Sequence, residues 1–297
     1  MGRWQGIIAT ALALAVATGF AVGDGAAEDR KPYAEMKDVQ PHDALAPCSA
    51  RLPPLPVGRL DAGKPAGEAL KAALGAERYL GVDENIRLRT EGNEPFLRVR
   101  YPKGSVNFSS ADDDTPLGGA SFYAPFSRAQ TTCLHYKVRF PEGFEFVKGG
   151  KLPGLYAGKA PSGGQEVTGH DGWSVRLMWR KEGKGELYEY VYNKKGKYGL
   201  SVGRGRFTFP TGRWIAVDLE VVANDPGERN GRARLWIDGK PVIEQDNIVY
   251  ATDRNARAEG GLMFSTFFGG NSKSWASPKD QHVDFADFRF YAGGNDG

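Results

Sequence analysis

Cysteine is nearly missing from this chain of 297 residues, which carries only Cys48 and Cys133. Two thiols cannot build a disulfide-dense mini-scaffold or a four-cysteine zinc site. Histidine is just as sparse: His42, His135, His170 and His282 are scattered, with no metal-site spacing, so no metal and no cofactor is expected. Charge of one sign is lacking too. The net charge is +3 without a dense Lys/Arg block, which argues against a nucleic-acid partner. The longest apolar run, residues 7–22, is shorter than the ~20 residues that span a bilayer. Apolar residues at 40% and charged residues at 25% exclude a wholly disordered chain and a multi-span membrane protein.

Glycine and aromatic residues are abundant instead, with 40 Gly, 16 Phe, 12 Tyr and 6 Trp. The glycines do not fall at every third position, so collagen is excluded and many turns remain. Aromatics suit pleated, half-buried surfaces. The composition alone therefore points to a turn-rich β protein.

Arg3 precedes the apolar run, and Gly25, Ala26 and Ala27 follow it. That order reads as a cleavable secretory signal over residues 1–27, with a retained anchor as the alternative. The mature protein is then expected to be secreted or periplasmic, free of the membrane and monomeric. In an oxidising compartment Cys48 and Cys133 can form one bridge; the alternative is two separate thiols, with Cys133 in the core.

Residues 28–84 read as an N-terminal extension. It begins as irregular chain around Pro53, Pro54 and Pro56, and residues 66–80 have the spacing of one short helix. From about residue 85 to 297 the period becomes two. Leu134, Tyr136, Val138 and Phe140 alternate with polar residues, as do Ile215, Val217, Leu219 and Val221. Asp238-Gly239 separates two such runs and supplies the positive φ angles of a tight hairpin. About ten short strands and almost no helix predict an all-β sandwich or jelly roll.

One hairpin carries chemistry. In the run Trp173–Arg180, Val175, Leu177 and Trp179 share one face, and Ser174, Arg176, Met178 and Arg180 share the other. A turn at 181–185 leads to Glu186, Tyr188 and Tyr190, which can join the second face. Placing Arg180 opposite Glu186 sets Arg176 opposite Tyr190 and Met178 opposite Tyr188. A guanidinium, a hydroxyl and two phenols on one surface suit a lyase acting on a uronic acid. Such an enzyme needs a cation for the carboxylate, a base at C5 and an acid at O4. The phenols reach working pH if nearby cations lower their pKa. The plain alternative is a solvated sheet face. Glu186 and Glu189 point to opposite faces, a poor pair for glycoside hydrolysis.

These residues stand in a wider pattern. Lys151-Leu152-Pro153-Gly154-Leu155-Tyr156, the Ser174-x-Arg176-x-Met178-Trp179-Arg180 strand and Gly185-Glu186-Leu187-Tyr188-x-Tyr190 occur in that order. Phe264–Gly270 and Trp275–Asp280 follow. Over about residues 95–291 the chain resembles the family 14 polysaccharide lyases, which include alginate lyases. The resemblance implies a β-jelly-roll with a substrate cleft on a concave face and β-elimination without a cofactor. It also implies catalytic roles for Lys151, Arg176, Tyr188 and Tyr190, with Ser174 and Arg176 holding an acidic polysaccharide. By itself Lys151 reads as a strand-edge charge beside Gly149 and Gly150. Ala157 and His170 depart from common family patterns. Three functions remain in view: a lyase for alginate, a lyase for glucuronan or another glucuronate-containing polymer, and a non-catalytic carbohydrate-binding protein.

Overall fold

The computed structural model describes residues 37–39, 41, 45–253, 259–270 and 272–294. The expected signal segment and His42 lie outside them. In chain order the elements are β1 (Lys37–Val39), α1 (Ala66–Leu74), β2 (Glu77–Leu80), α2 (Val82–Asn85), β3 (Ile86–Glu91), β4 (Glu94–Tyr101), β5 (Ala120–Ser127) and β6 (Thr131–Arg139). There follow β7 (Gly149–Gly158), β8 (Gly172–Arg180), β9 (Gly185–Tyr190), β10 (Leu200–Val202), β11 (Ile215–Val222), β12 (Gly231–Ile237), β13 (Lys240–Ile248), β14 (Gly260–Phe268) and β15 (Gln281–Gly293).

They form two antiparallel sheets of a jelly-roll sandwich. The back sheet has eight strands in the order β1-β13-β12-β11-β6-β15-β4-β3, and the front sheet seven, β10-β9-β8-β7-β14-β5-β2. Period-two alternation decides what each strand buries. Leu134, Tyr136 and Val138 of β6 and Val217 and Leu219 of β11 meet Val175, Leu177 and Trp179 of β8 between the sheets. Burying such side chains contributes roughly 1.5–3 kcal/mol each. The hairpin at Asp238-Gly239 forms as expected, with φ of 51° and 78°.

The outer face of the back sheet is polar. Asp284 holds Arg98 and Arg139, and Glu220 holds Arg51 and Arg234. His135 Nδ1 lies 3.0 Å from Asp218, and its Nε2 3.7 Å from Asp287. Burial disfavours the charged ring, but hydrogen bonds and charges from both aspartates outweigh it and raise His135 to about 9. On this face a disulfide joins Cys48 to Cys133 across 85 residues of sequence, packed with Trp236 and Tyr291.

Two expectations change. The helical run predicted over 66–80 stops at Leu74, where Gly75 takes a left-handed φ of 66° and its N–H caps Leu70 and Lys71 carbonyls. Residues 77–80 then form a strand of the front sheet rather than helix. The described residues also hold fifteen strands against about ten expected; three of the additional ones, β1, β2 and β10, have only three or four residues and show no alternation to read. Among the described residues no helix is long and apolar enough to cross a membrane.

Candidate active site

The outer face of the front sheet carries a cleft of about 700 Å³. It crosses six strands. β9 contributes Tyr188 and Tyr190, β8 Arg176, Met178 and Arg180, and β7 Lys151; β14 adds Met263, Ser265 and Phe267, β5 Ser121 and Tyr123, and β2 Arg78 and Leu80.

Lys151 reaches the cleft because β7 is bulged. Leu152 and Leu155 are both buried in the core although they stand three positions apart, an odd spacing that puts them on opposite faces of a regular strand. The register against β8 slips between Leu152 and Gly154, and that slip resolves the conflict. Pro153, which cannot donate to a ladder, sits at the irregularity, where proline is tolerated. A Cβ on Gly154 would stand 2.1 Å from the Val175 carbonyl oxygen, so only glycine lets the strands close. The Lys-Leu-Pro-Gly-Leu run is thus a bulge that turns Lys151 outward while both leucines stay inside. Lys151 is not the strand-edge charge of the plain reading, since β7 is flanked by β14 and β8.

The amine of Lys151 donates to Met178 Sδ at 2.6 Å and lies 3.6 Å from the Tyr188 ring centroid. Desolvation, then the nearby Arg176 and Arg180, hold it well below its ordinary pKa, against a smaller opposing pull from Glu186. Arg176 is 2% exposed. It makes no ion pair among the described residues, and its Nε is buried without a hydrogen-bond partner. Arg180 differs: its Nε donates to Glu186 at 2.8 Å, and Arg204 reaches the other oxygen at 2.5 Å. Glu186, fully buried and held by two guanidiniums, is committed to structure.

The hairpin has the predicted faces but a different register. Ser174 pairs with Tyr190, Arg176 with Tyr188, and Met178 with Glu186, a shift of two residues from the expected pairing. Glu182 and Gly183 both take positive φ, 63° and 72°, and tighten the turn. Arg180 reaches Glu186 diagonally rather than from the opposite position. A shift of two preserves the side-chain face, so the grouping survives.

Tyr190 accepts the Gly164 N–H at 2.8 Å, and Tyr188 accepts the Gly199 N–H at 3.1 Å. The rings stand edge to face, 5.9 Å apart. The expectation that cations bring both phenols down to working pH fails for Tyr188. Burial and Tyr190 push it up to about 12, and the pull of Arg176 is smaller. Ser174 is also corrected. It shares the predicted face but is fully buried, and its hydroxyl donates to the Pro161 carbonyl at 2.6 Å. It anchors the loop that brings Ser162 and Gly163 to the cleft instead of touching substrate. On the inner face of β9, Glu189 is fully buried, and the Gln245 amide donates to both its oxygens at 2.8 and 2.7 Å. Burial pushes this carboxyl up to about 8.

Sequence reasoning missed Arg78, Tyr123 and the loop residue Asn107. Asn107 donates to the Gly270 carbonyl while Phe108 packs on Phe267 with centroids 4.6 Å apart. Phe267 and Trp275 lie in the sequence runs quoted above and line the same end of the cleft.

The family model for polysaccharide lyase 14 matches residues 89–288. Among solved structures, the PL-14 alginate lyase of Aplysia kurodai is 28% identical, with a TM-score of 0.66 over 85% of this chain and 100% of that one. The alginate lyase vAL-1 from Chlorella virus is 21% identical, with a TM-score of 0.65 over 80% of this chain and 100% of its own. Alginate lyase Aly36B, solved with an alginate tetrasaccharide, is 20% identical, with a TM-score of 0.67 over 88% of this chain and 98% of its own. The last two share the fold. No curated protein matches the chain. The family match spans more than half of the sequence and contains the bulged lysine strand and the whole arginine–tyrosine hairpin, and on that ground the chain belongs to polysaccharide lyase family 14 and is a polysaccharide lyase.

Proposed function

We propose that the protein is an exported lyase that cleaves alginate by β-elimination. The observation that carries the reading is Arg176: a buried guanidinium, facing a cleft, with no carboxylate of its own. A buried charge without a partner is costly, and a uronate carboxylate supplies the partner through two parallel hydrogen bonds. That contact also stabilises the charge that develops on the carboxylate as C5 loses its proton.

Lys151, whose amine is biased toward its neutral form, takes the C5 proton. The electron pair left behind forms the C4–C5 double bond as the C4–O4 bond breaks. Tyr188, protonated at neutral pH, gives its proton to the departing O4. Tyr190, edge to face with Tyr188 and fixed by Gly164, holds the donor in place. Alginate is favoured as substrate by the 28% identical alginate lyase. Export rests on the apolar run at 7–22 and the small residues after it.

The test is incubation of the mature protein with polymannuronate, polyguluronate and glucuronan, following the ultraviolet absorbance of the unsaturated product. Alginate blocks should give the fastest rise. Binding to these polymers without unsaturated product from any of them would replace the lyase with a carbohydrate-binding protein.

A further inference from the structure

Arg78 enters the cleft from outside the span of the family match, which begins at residue 89. It stands on β2, the edge strand of the front sheet, four strand steps from Arg176 on β8. The side chain closes much of that gap, since it reaches Tyr156 on β7, the strand beside β8.

Several features fix its direction. The guanidinium lies 3.7 Å from the Tyr123 ring centroid, and its Nη2 donates to the Tyr156 hydroxyl at 3.1 Å. The backbone at Arg78 has φ of 54°, a left-handed conformation that is strained for a residue bearing a side chain. Pairing of β2 with β5 is irregular between Glu77 and Leu80, the kind of break that re-aims a side chain beside a site. The chain thus accepts strain to lay this arginine on an aromatic plane facing the cleft. Part of the guanidinium stays available, since the side chain is 45% exposed. Its carboxylate neighbour among the described residues is Glu77 at 3.2 Å, about half exposed itself, and water screens such a pair.

Resting on the lyase reading above, we propose that Arg78 binds the carboxylate of a second uronate residue, other than the one that loses its C5 proton. The cleft then holds an acidic polymer at two charged points, Arg176 at the reacting residue and Arg78 on the side toward β2. Arginine is suited to this task, because its planar fork matches a carboxylate and its face stacks on tyrosine. A chain uses this contact only if it extends past Arg176 toward β2, so the contact helps long chains more than short ones.

The experiment compares kcat/KM on a long polyuronate and on a trisaccharide, and measures equilibrium binding of a long oligouronate by calorimetry. For Arg78→Ala the polymer-to-trisaccharide ratio of kcat/KM should fall about tenfold, the size of one lost charge-assisted contact, and long-oligomer binding should weaken equally. Arg78→Lys should recover part of both. Glu77→Gln, which removes the competing carboxylate, should move both readouts the other way. Arg289→Ala deletes the same charge from a largely exposed position on the back sheet and should leave the ratio as it is. An unchanged ratio and unchanged binding in Arg78→Ala overturn the proposal, as does an equal loss in Arg289→Ala. If the wild type cleaves no polyuronate but binds the oligomer through Arg78, the lyase reading falls and this site stands. If it neither cleaves nor binds, both fall.

Discussion

The Nζ of Lys151 lies 3.6 Å from the centre of the Tyr188 ring, so the group assigned as base and the group assigned as acid are in contact. One environment drives their proton affinities in opposite directions. Loss of water penalises the charged form of each: the ammonium of Lys151 and the phenolate of Tyr188. The amine is lowered and the phenol is raised, which is the protonation pattern that β-elimination requires.

Lys151→Ala should lose about 10²–10⁴-fold in kcat, the usual share of a positioned base, with an unchanged melting curve. In the wild type, kcat/KM should rise with pH as the Lys151 amine deprotonates, with a midpoint well below the ordinary lysine value of 10.5. Arg180 helps to hold that value down. Arg180→Gln should therefore move the rising limb to higher pH, and a pH–rate profile that does not move argues against Lys151 as the base.

Tyr188→Phe should lose far more in kcat than in KM, because it deletes a proton rather than a binding contact. Tyr190→Phe should lose less, since Tyr190 steadies the donor without transferring the proton. Steady-state kinetics of the two variants on one substrate decide the order. Equal losses would make the tyrosines a single unit.

Gly199→Ala tests the positioning of both phenols without touching either. A Cβ at this position would stand 2.7 Å from the Tyr188 ring and 2.8 Å from the Tyr190 ring, so the rings must shift. A displacement of about 1 Å at a site can cost on the order of 100-fold in rate. Lyase activity should drop sharply while the circular dichroism spectrum stays the same.

Glu189 should make the fold sensitive to alkali. Its folded pKa, about 8, is raised above the unfolded carboxyl value of 4.5. Stability from this group is thus complete below about 4.5 and is lost as pH rises through about 8. Glu189→Gln should flatten that loss, which is of order 5 kcal/mol. His135, raised from 6.5 to about 9, loses its contribution over a later window, and that part should persist in Glu189→Gln. Melting temperatures measured from pH 5 to pH 10 in both proteins separate the two.

Reducing the Cys48–Cys133 bridge should lower the melting temperature by roughly 5–15 °C. This corresponds to about 2–4 kcal/mol for a cross-link closing a long loop in a domain of this size. The two-sheet core does not depend on the bridge, so the reduced protein should still refold. Calorimetry with and without reductant measures the shift.

Much of the site was legible from β8 and β9. Alternation of Ser174, Arg176 and Met178 with Val175, Leu177 and Trp179 assigns faces, and a face survives any even register error. The register itself was not legible, because the positive φ of Glu182 is a property of the closed turn and not of a glutamate. Arg78 carried no signal at all. All four residues of β2 are exposed, so the strand has no apolar rhythm, and Ala66–Leu80 reads as one continuous helix. Gly75 was the available clue, since glycine commonly ends a helix in the left-handed conformation. Ser174 was placed correctly by face and misjudged by role, because its partner is a carbonyl brought by a loop thirteen residues earlier in sequence.

Placing β2 at the border of the front sheet also bears on how these molecules meet one another. A bare sheet border is a template onto which a second chain can add a strand. Here the neighbour that would be left bare, β5, runs eight residues through Phe122 and Tyr123. The strand covering it is four residues long, irregularly paired and carries Glu77 and Arg78 side by side, a poor surface for strand addition. The opposite border is only the three residues of β10. Removing the helix-and-strand segment at 66–80 should therefore open β5 to strand addition by a second copy, because that short charged strand is what ends the sheet.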